Sequence, residues 1–217
     1  IAIPLLSLRV RVHRERGSRN TLSLCDSLVT FCSHRKSPHG VTSSRSRHTD
    51  AMSPQNYDSC RISLYGGFAM TNEEYMSLAL DLAREAAEHG EVPVGCVIAD
   101  AAGRVIGRGR NRREELGDAT AHAEVEAIRE AGAALGSWRL EGCTMYVTLE
   151  PCPMCTGAII NSRIPCLVFG ARDAVTGSCG SVIDLFFENY GHHPKVYAGV
   201  LGDESAELLR SFFKGLR

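Results

Sequence analysis

The chain is 217 residues long and 44% hydrophobic, and it carries a net charge of −1. That size and apolar content suit one globular domain plus an extra segment, and no apolar run approaches the roughly 20 residues of a membrane-spanning helix. Nine cysteines, odd in number and unevenly spaced, read as reduced thiols and metal ligands rather than a disulfide framework.

Residues 1 to 69 stand apart in composition. They hold ten Lys and Arg against four Asp and Glu, net +6, while the remainder holds fourteen against twenty-one, net −7. Stretches such as Ser43-Ser44-Arg45-Ser46-Arg47 keep neither a helical nor a strand period, so residues 1 to 69 are expected to be a disordered leader. A leader rich in Ser and Arg reads either as an organelle transit peptide or as sequence upstream of a native start at Met70. The second reading is preferred, because Thr71-Asn72-Glu73-Glu74 forms a capping box that opens the first helix. The functional domain is expected over residues 70 to 217.

Within that domain, Met76, Leu80, Ala83 and Ala87 recur at helical spacing, predicting an amphipathic helix over 73–88 that stops before Gly90. A strand over 93–99, a turn at Asp100-Ala101-Ala102-Gly103 and a strand over 104–111 predict a hairpin. On the second strand Arg104, Arg108 and Arg110 share one face, and Asn111 leaves on the other, inward side. The arginines are read as protection of an edge strand rather than as an RNA surface. A helix follows over 121–135, a strand over 143–149, a helix from Cys152 to about Ser162, and a strand over 166–170. A Gly- and Ser-rich loop spans 176–181, and a strand over 195–201 and a helix over 203–214 close the chain. Five strands alternating with helices predict an α/β domain of three layers, with a central mixed five-stranded sheet and helices on both faces.

Two stretches carry chemistry: His122-Ala123-Glu124 and Pro151-Cys152-Pro153-Met154-Cys155. His122, Cys152 and Cys155 make three soft ligands, the number a catalytic zinc takes while leaving a fourth position for water. Glu124 is left over for proton transfer. On a helix it falls among Ile128, Ala131 and Leu135, with His122 flanking the same stripe in the first turn, and a lone carboxylate on a core face is costly unless used. Cys152 fits a helix cap and Pro153 the first turn, so both sulfurs sit where the positive helix end favours thiolate. A redox pair would not need the upstream His-x-Glu, and a structural zinc would want a fourth ligand that Cys143 and Cys166, single residues in strand-like runs, serve poorly.

HAE followed by PCxxC resembles the signature of zinc-dependent nucleoside and nucleobase deaminases. The words EVPVG at 91–95, TAHAE at 120–124, TLEPCPMCTGAI at 148–159 and FGARD at 169–173 further resemble the bacterial tRNA-specific adenosine deaminases, from about Met70 to the C-terminus. The resemblance implies a cytidine-deaminase-like fold and a Zn2+ cofactor. It also implies hydrolytic conversion of adenosine to inosine at the wobble position of tRNA, with the anticodon loop as partner and a homodimer, in the cytoplasm or in an organelle if the leader is a transit peptide. It assigns Glu124 as the catalytic proton shuttle, Asn111 to the substrate nucleoside, and Asp173 to the nucleotide before the target. Without it, Asn111 reads as a turn residue at a strand end and Asp173 as a turn cap.

Relatives that deaminate free guanine or cytosine share the same metal words, so that alternative stays open, and so does an RNA-binding subunit without catalysis. The words NSRI and FGARD favour the RNA enzyme, and the intact Glu124 argues against the inert subunit. Family members usually carry Asp-Pro where this chain has Asp118-Ala119, which loosens the expected loop before the zinc helix. The net −7 of the domain opposes RNA binding by bulk charge, which leaves local patches such as Arg112-Arg113 or Arg210, Lys214 and Arg217.

Overall fold

The computed structural model describes residues 70–216. The expected leader, residues 1 to 69, lies outside the described residues. Helix α1 (Asn72–Glu88) opens as the capping box requires. The Thr71 hydroxyl accepts the Glu74 amide at 3.2 Å and the Glu74 carboxylate accepts the Thr71 amide at 2.6 Å. Strands β1 (Gly95–Ala99) and β2 (Val105–Arg110) form the expected antiparallel hairpin, with a register shift between Ile98 and Ala99. A short helix α2 (Arg113–Leu116), which has too few residues to show a period, follows.

Then come α3 (Ala123–Leu135), β3 (Thr144–Leu149), α4 (Pro153–Ser162), β4 (Cys166–Ala171), a 3₁₀ turn at Leu185–Phe187, β5 (Lys195–Ala198) and α5 (Gly202–Gly215). The sheet order is β2-β1-β3-β4-β5. β1 runs antiparallel to β2 and β3, while β3, β4 and β5 are parallel to one another. The mixed five-stranded sheet is as expected.

Period-two alternation sorts the strand side chains onto two faces, and helices cover both. Cys96, Ile98, Met145, Val147, Leu167 and Phe169 pack with Ala123, Ala127 and Ala131 of α3 and Ile159 and Ile160 of α4. Val97, Ala99, Tyr146 and Val168 pack on the other face with Tyr75, Met76 and Ala79 of α1. Small residues set the layer spacing. A Cβ on Gly95 would lie 2.0 Å from the Ala79 carbonyl of α1, and one on Gly109 would lie 2.0 Å from the Ala123 carbonyl of α3. With helices so close on both sides, the sheet is buried through its centre, and the ends of its strands are left to form a site.

Two of the three arginines expected on one face of the second strand are used in internal pairs, while Arg108 is exposed and its backbone amide donates to Glu130 at 2.8 Å. Arg104 meets Asp100 at 2.6 Å, and Arg110, largely buried, meets Glu85 and Glu115 at 2.9 Å each. Arg112 and Arg210, two of the proposed RNA-facing cations, are paired with Glu115 and Glu207. Among the described residues, no helix is long and apolar enough to cross a membrane.

Candidate active site

Two helix starts face each other at the carboxyl ends of β3 and β4, where open α/β sheets keep their ligands. His122 is the N-cap of α3, with extended backbone at φ −83° and ψ 153°. The expectation that it sits in the first helical turn is corrected here. As the cap it stands one residue outside the helix, so its ring is free of the helical stripe. Cys152 is the N-cap of α4 and Pro153 occupies the first turn, as expected from a ring that fixes φ and lacks the N–H. Thr120 and Asp118 tie the loop before His122: the Asp118 carboxylate accepts the Thr120 amide and hydroxyl, each at 2.7 Å. The Asp118-Ala119 departure therefore leaves this loop held rather than loose.

His122 Nδ1 lies 3.8 Å from Cys152 Sγ and 3.5 Å from Cys155 Sγ, and the three ligand atoms all fall within 4.8 Å of one another. A tetrahedral ion with ordinary Zn–N and Zn–S bonds sets a nitrogen–sulfur edge of about 3.6 Å. The donor set therefore fits zinc without rearrangement. The electrostatics agree. Cys152 is lowered to about 4, chiefly by a hydrogen bond from the Cys155 thiol and next by the one to His122. The Cys155 thiol, which keeps the proton of that pair, is pushed up. Beside this thiolate the His122 imidazole is pushed above its ordinary value, and metal binding would displace that proton along with the thiol's.

Glu124 is in the first turn of α3 and 4% exposed. Burial, the largest cause, raises its carboxyl pKa, and the negative Cys152 adds to the rise. The inward face of α3 is Ala123, Glu124, Ala127 and Ala131. Leu135, expected on that face, is instead 41% exposed, because it falls at the end of the helix just before the Gly136 cap.

Asn111 also comes to the site. It is buried just past β2, and its side-chain amide donates to Glu91 at 3.4 Å. Asn111, Glu124, His122, Cys152 and Asp173 line one cleft of about 430 Å³, with Val175, Leu209 and Phe213 at its walls. The Asp173 carboxylate is engaged in a turn, accepting the Val175 amide at 2.8 Å, the Thr176 amide at 3.2 Å and the Thr176 hydroxyl at 2.5 Å.

Comparison with known proteins agrees with this geometry. Residues 69–171 match the family described as the cytidine and deoxycytidylate deaminase zinc-binding region, a span that contains all three ligands and Glu124. The chain is 47% identical over 150 residues to the tRNA-specific adenosine deaminase of Bacillus subtilis, covering 68% of this chain and 92% of that protein. This chain belongs to the tRNA-specific adenosine deaminase family. A solved structure, from a study of A-to-I editing by tRNA:A34 deaminases at the wobble position of transfer RNA, superposes with a TM-score of 0.60 at 50% identity. It covers 62% of this chain and 98% of that one. A relative named tRNA(Ile)-lysidine synthase, from Deinococcus radiodurans, is 50% identical over 142 residues. The match covers 65% of this chain, which spans 24% of that protein's length.

Sequence reasoning misses two buried carboxylates of this deaminase-family chain. Glu91 holds Asn111 and accepts the Glu115 amide at 2.8 Å. Glu150, directly after β3, accepts from four donors of the loop that follows β4. The signal was present for both. Each is an acidic residue in an apolar run, in EVPVG and TLEPC, the same oddity that singles out Glu124.

Proposed function

We propose that this protein is a zinc-dependent hydrolase that converts adenosine to inosine at the wobble position of tRNA. One observation carries the chemistry, a buried carboxylate with a raised pKa, Glu124, beside a three-donor metal cluster on an open cleft, and the likeness to tRNA-specific adenosine deaminases supports the substrate. His122, Cys152 and Cys155 would hold the ion. Bound there, zinc supplies Lewis acidity that makes water a nucleophile near neutral pH.

The protein's own part is proton handling and orientation. Glu124 takes one proton from the attacking water and delivers it to the ring nitrogen next to the amino-bearing carbon; it then takes the remaining proton of the added hydroxyl and delivers it to the amino group, which leaves as ammonia. A carbon–oxygen bond forms, the carbon–nitrogen bond to the amine breaks, and inosine and ammonia leave. A carboxyl raised by burial suits a group that must both accept and give a proton near neutrality. Asn111, held by Glu91, would hydrogen-bond the nucleoside, and Asp173 would approach the preceding nucleotide.

An unpaired anticodon loop offers a base that is cheap to swing out of its stack, and an open cleft mouth leaves room for its neighbours. The family resemblance adds a homodimer to this reading, to be checked by sedimentation. A tRNA substrate puts the protein in the cytoplasm or in an organelle with its own tRNA. The test is incubation with an anticodon stem-loop and sequencing for inosine, beside free adenine, adenosine, guanine and cytosine. Inosine in the stem-loop is expected. Turnover of a free base with none on the stem-loop would overturn the substrate.

A further inference from the structure

Glu150 stands between the end of β3 and Pro151, and it is 2% exposed. One carboxylate oxygen accepts the backbone amides of Cys179 and Ser181 at 3.0 Å each. The other accepts the Asp173 amide at 3.2 Å and, very closely, the Ser181 hydroxyl. All four donors belong to the segment from Asp173 to Ser181. That segment wraps the carboxylate so tightly that a Cβ on Gly177 would lie 2.7 Å from both Cδ and Oε2 of Glu150. A loop without a strand ladder must satisfy its amides elsewhere, and a buried carboxylate accepting several of them makes charge-assisted bonds that fix its shape.

The other side of the segment is the cleft wall. Asp173, Ala174, Val175 and Thr176 line the cleft, and Val175 is 81% exposed. The metal-ligand stretch has one hold that does not pass through the carboxylate, the Glu150 backbone amide, and a second from Ser178 within the segment. The Glu150 amide donates to the Ala171 carbonyl at 2.9 Å, and the Ser178 amide to the Pro151 carbonyl at 2.9 Å. Glu124 and His122 sit on a different element, α3.

We infer that Glu150 is a positioning residue: its carboxylate holds the 173–181 segment as a wall of the cleft and sets the affinity for the substrate's flanking groups, not the chemical step. The inference rests on the RNA reading above. Glu150→Gln keeps the shape but, whichever way the amide turns, sets an NH₂ group against at least one backbone amide that needs an acceptor. It is expected to raise KM for the anticodon stem-loop about tenfold while kcat stays within about threefold and bound zinc is unchanged. Hydrogen exchange of residues 173–181 should quicken, with the α3 and α4 amides still protected. Ser181→Ala, a milder change that leaves the backbone donors in place, should raise KM in the same direction by about threefold.

An unchanged KM in both variants, a fall in kcat alone, or loss of zinc from Glu150→Gln would each overturn the inference. A wild-type protein inert on the stem-loop overturns the functional reading instead. The exchange comparison then still decides the inference, and unchanged exchange of 173–181 in Glu150→Gln sinks it.

Discussion

Gly109 on β2 lies against Ala123 on α3 so closely that a Cβ on the glycine would meet the Ala123 carbonyl oxygen at 2.0 Å and the Ala127 amide nitrogen at 2.7 Å. Ala123 is the residue between His122 and Glu124. The contact therefore sets how near the start of α3, with its ligand and its carboxylate, comes to the sheet. Gly109→Ala must push that helix start outward, because the opposing atoms are backbone. We expect a loss of about 1–3 kcal/mol in stability, the usual cost of overpacking, together with weaker zinc retention. Denaturant melts and metal analysis check both. A variant with lowered stability and full zinc would mean that α3 moves as a rigid body without disturbing the donors.

The three-donor cluster predicts one zinc per chain and a stabilising effect of that zinc. A ligand that binds only the folded state raises stability by mass action. A strong chelator should therefore lower the melting temperature of the wild-type protein. In the Cys152→Ser/Cys155→Ser double variant, zinc should be absent and the chelator should leave the melting temperature where it was. Equal zinc in the double variant would sink the ligand assignment.

Glu124→Ala removes a proton carrier and no ligand. Zinc and fold should persist, while turnover falls by at least the roughly 10²–10⁴-fold that general acid–base groups contribute, since this group acts in more than one transfer. Inosine formation under single-turnover conditions gives the number. Near-normal turnover would assign the proton transfers to another group.

Much of this arrangement is legible in the sequence because its causes are local. The capping box at Thr71 and Glu74, the cap at Cys152 with Pro153 behind it, and the β-branched and aromatic run of β3 each depend on a few neighbouring residues. The His122, Glu124, Cys152 and Cys155 set is readable because metal chemistry restricts which residue types can sit together. What escapes is set by long-range contact. Leu135 has the right period to face inward but sits at the helix end, where it is only partly covered. Glu150 looks like one more strand-end residue until a loop 23 to 31 residues later closes around it. Arg110 of β2 shows its pairing only once α1 and α2 are placed beside it.

The cluster of Arg110, Arg112 and Glu115 has a defined acid signature. Glu115 meets Arg112 at 2.6 Å and Arg110 at 2.9 Å, and these bonds, that to Arg112 first, lower its pKa from 4.5 to about 2. A carboxylate with a depressed folded-state pKa stabilises fully above its unfolded value and loses that contribution as pH falls through the folded one. The window is therefore about pH 4.5 down to about 2. Glu115→Gln cannot titrate. The melting-temperature gap between wild type and variant should be widest at pH 5 and above and close as pH approaches 2. A gap that stays constant across that range would mean that the ion pairs contribute nothing through this carboxylate.

Asp173 combines a turn role that is visible with a substrate role that is proposed, and one substitution separates them. Its carboxylate accepts the Val175 and Thr176 amides through Oδ1 and the Thr176 hydroxyl through Oδ2. Asparagine retains the Oδ1 acceptor for both amides, as such turns commonly allow, and its NH₂ can donate to the same hydroxyl with that hydroxyl reversed. Asp173→Asn therefore keeps the turn and removes only the charge and one acceptor. If the charge serves the nucleotide before the target adenosine, KM for the anticodon stem-loop should rise by roughly tenfold, the worth of one charge-assisted hydrogen bond. Zinc content, melting temperature and hydrogen exchange over 173–176 should stay at wild-type values. Unchanged KM with an unchanged loop would confine Asp173 to the turn, and the flanking nucleotide would have to be held by other residues of the cleft wall.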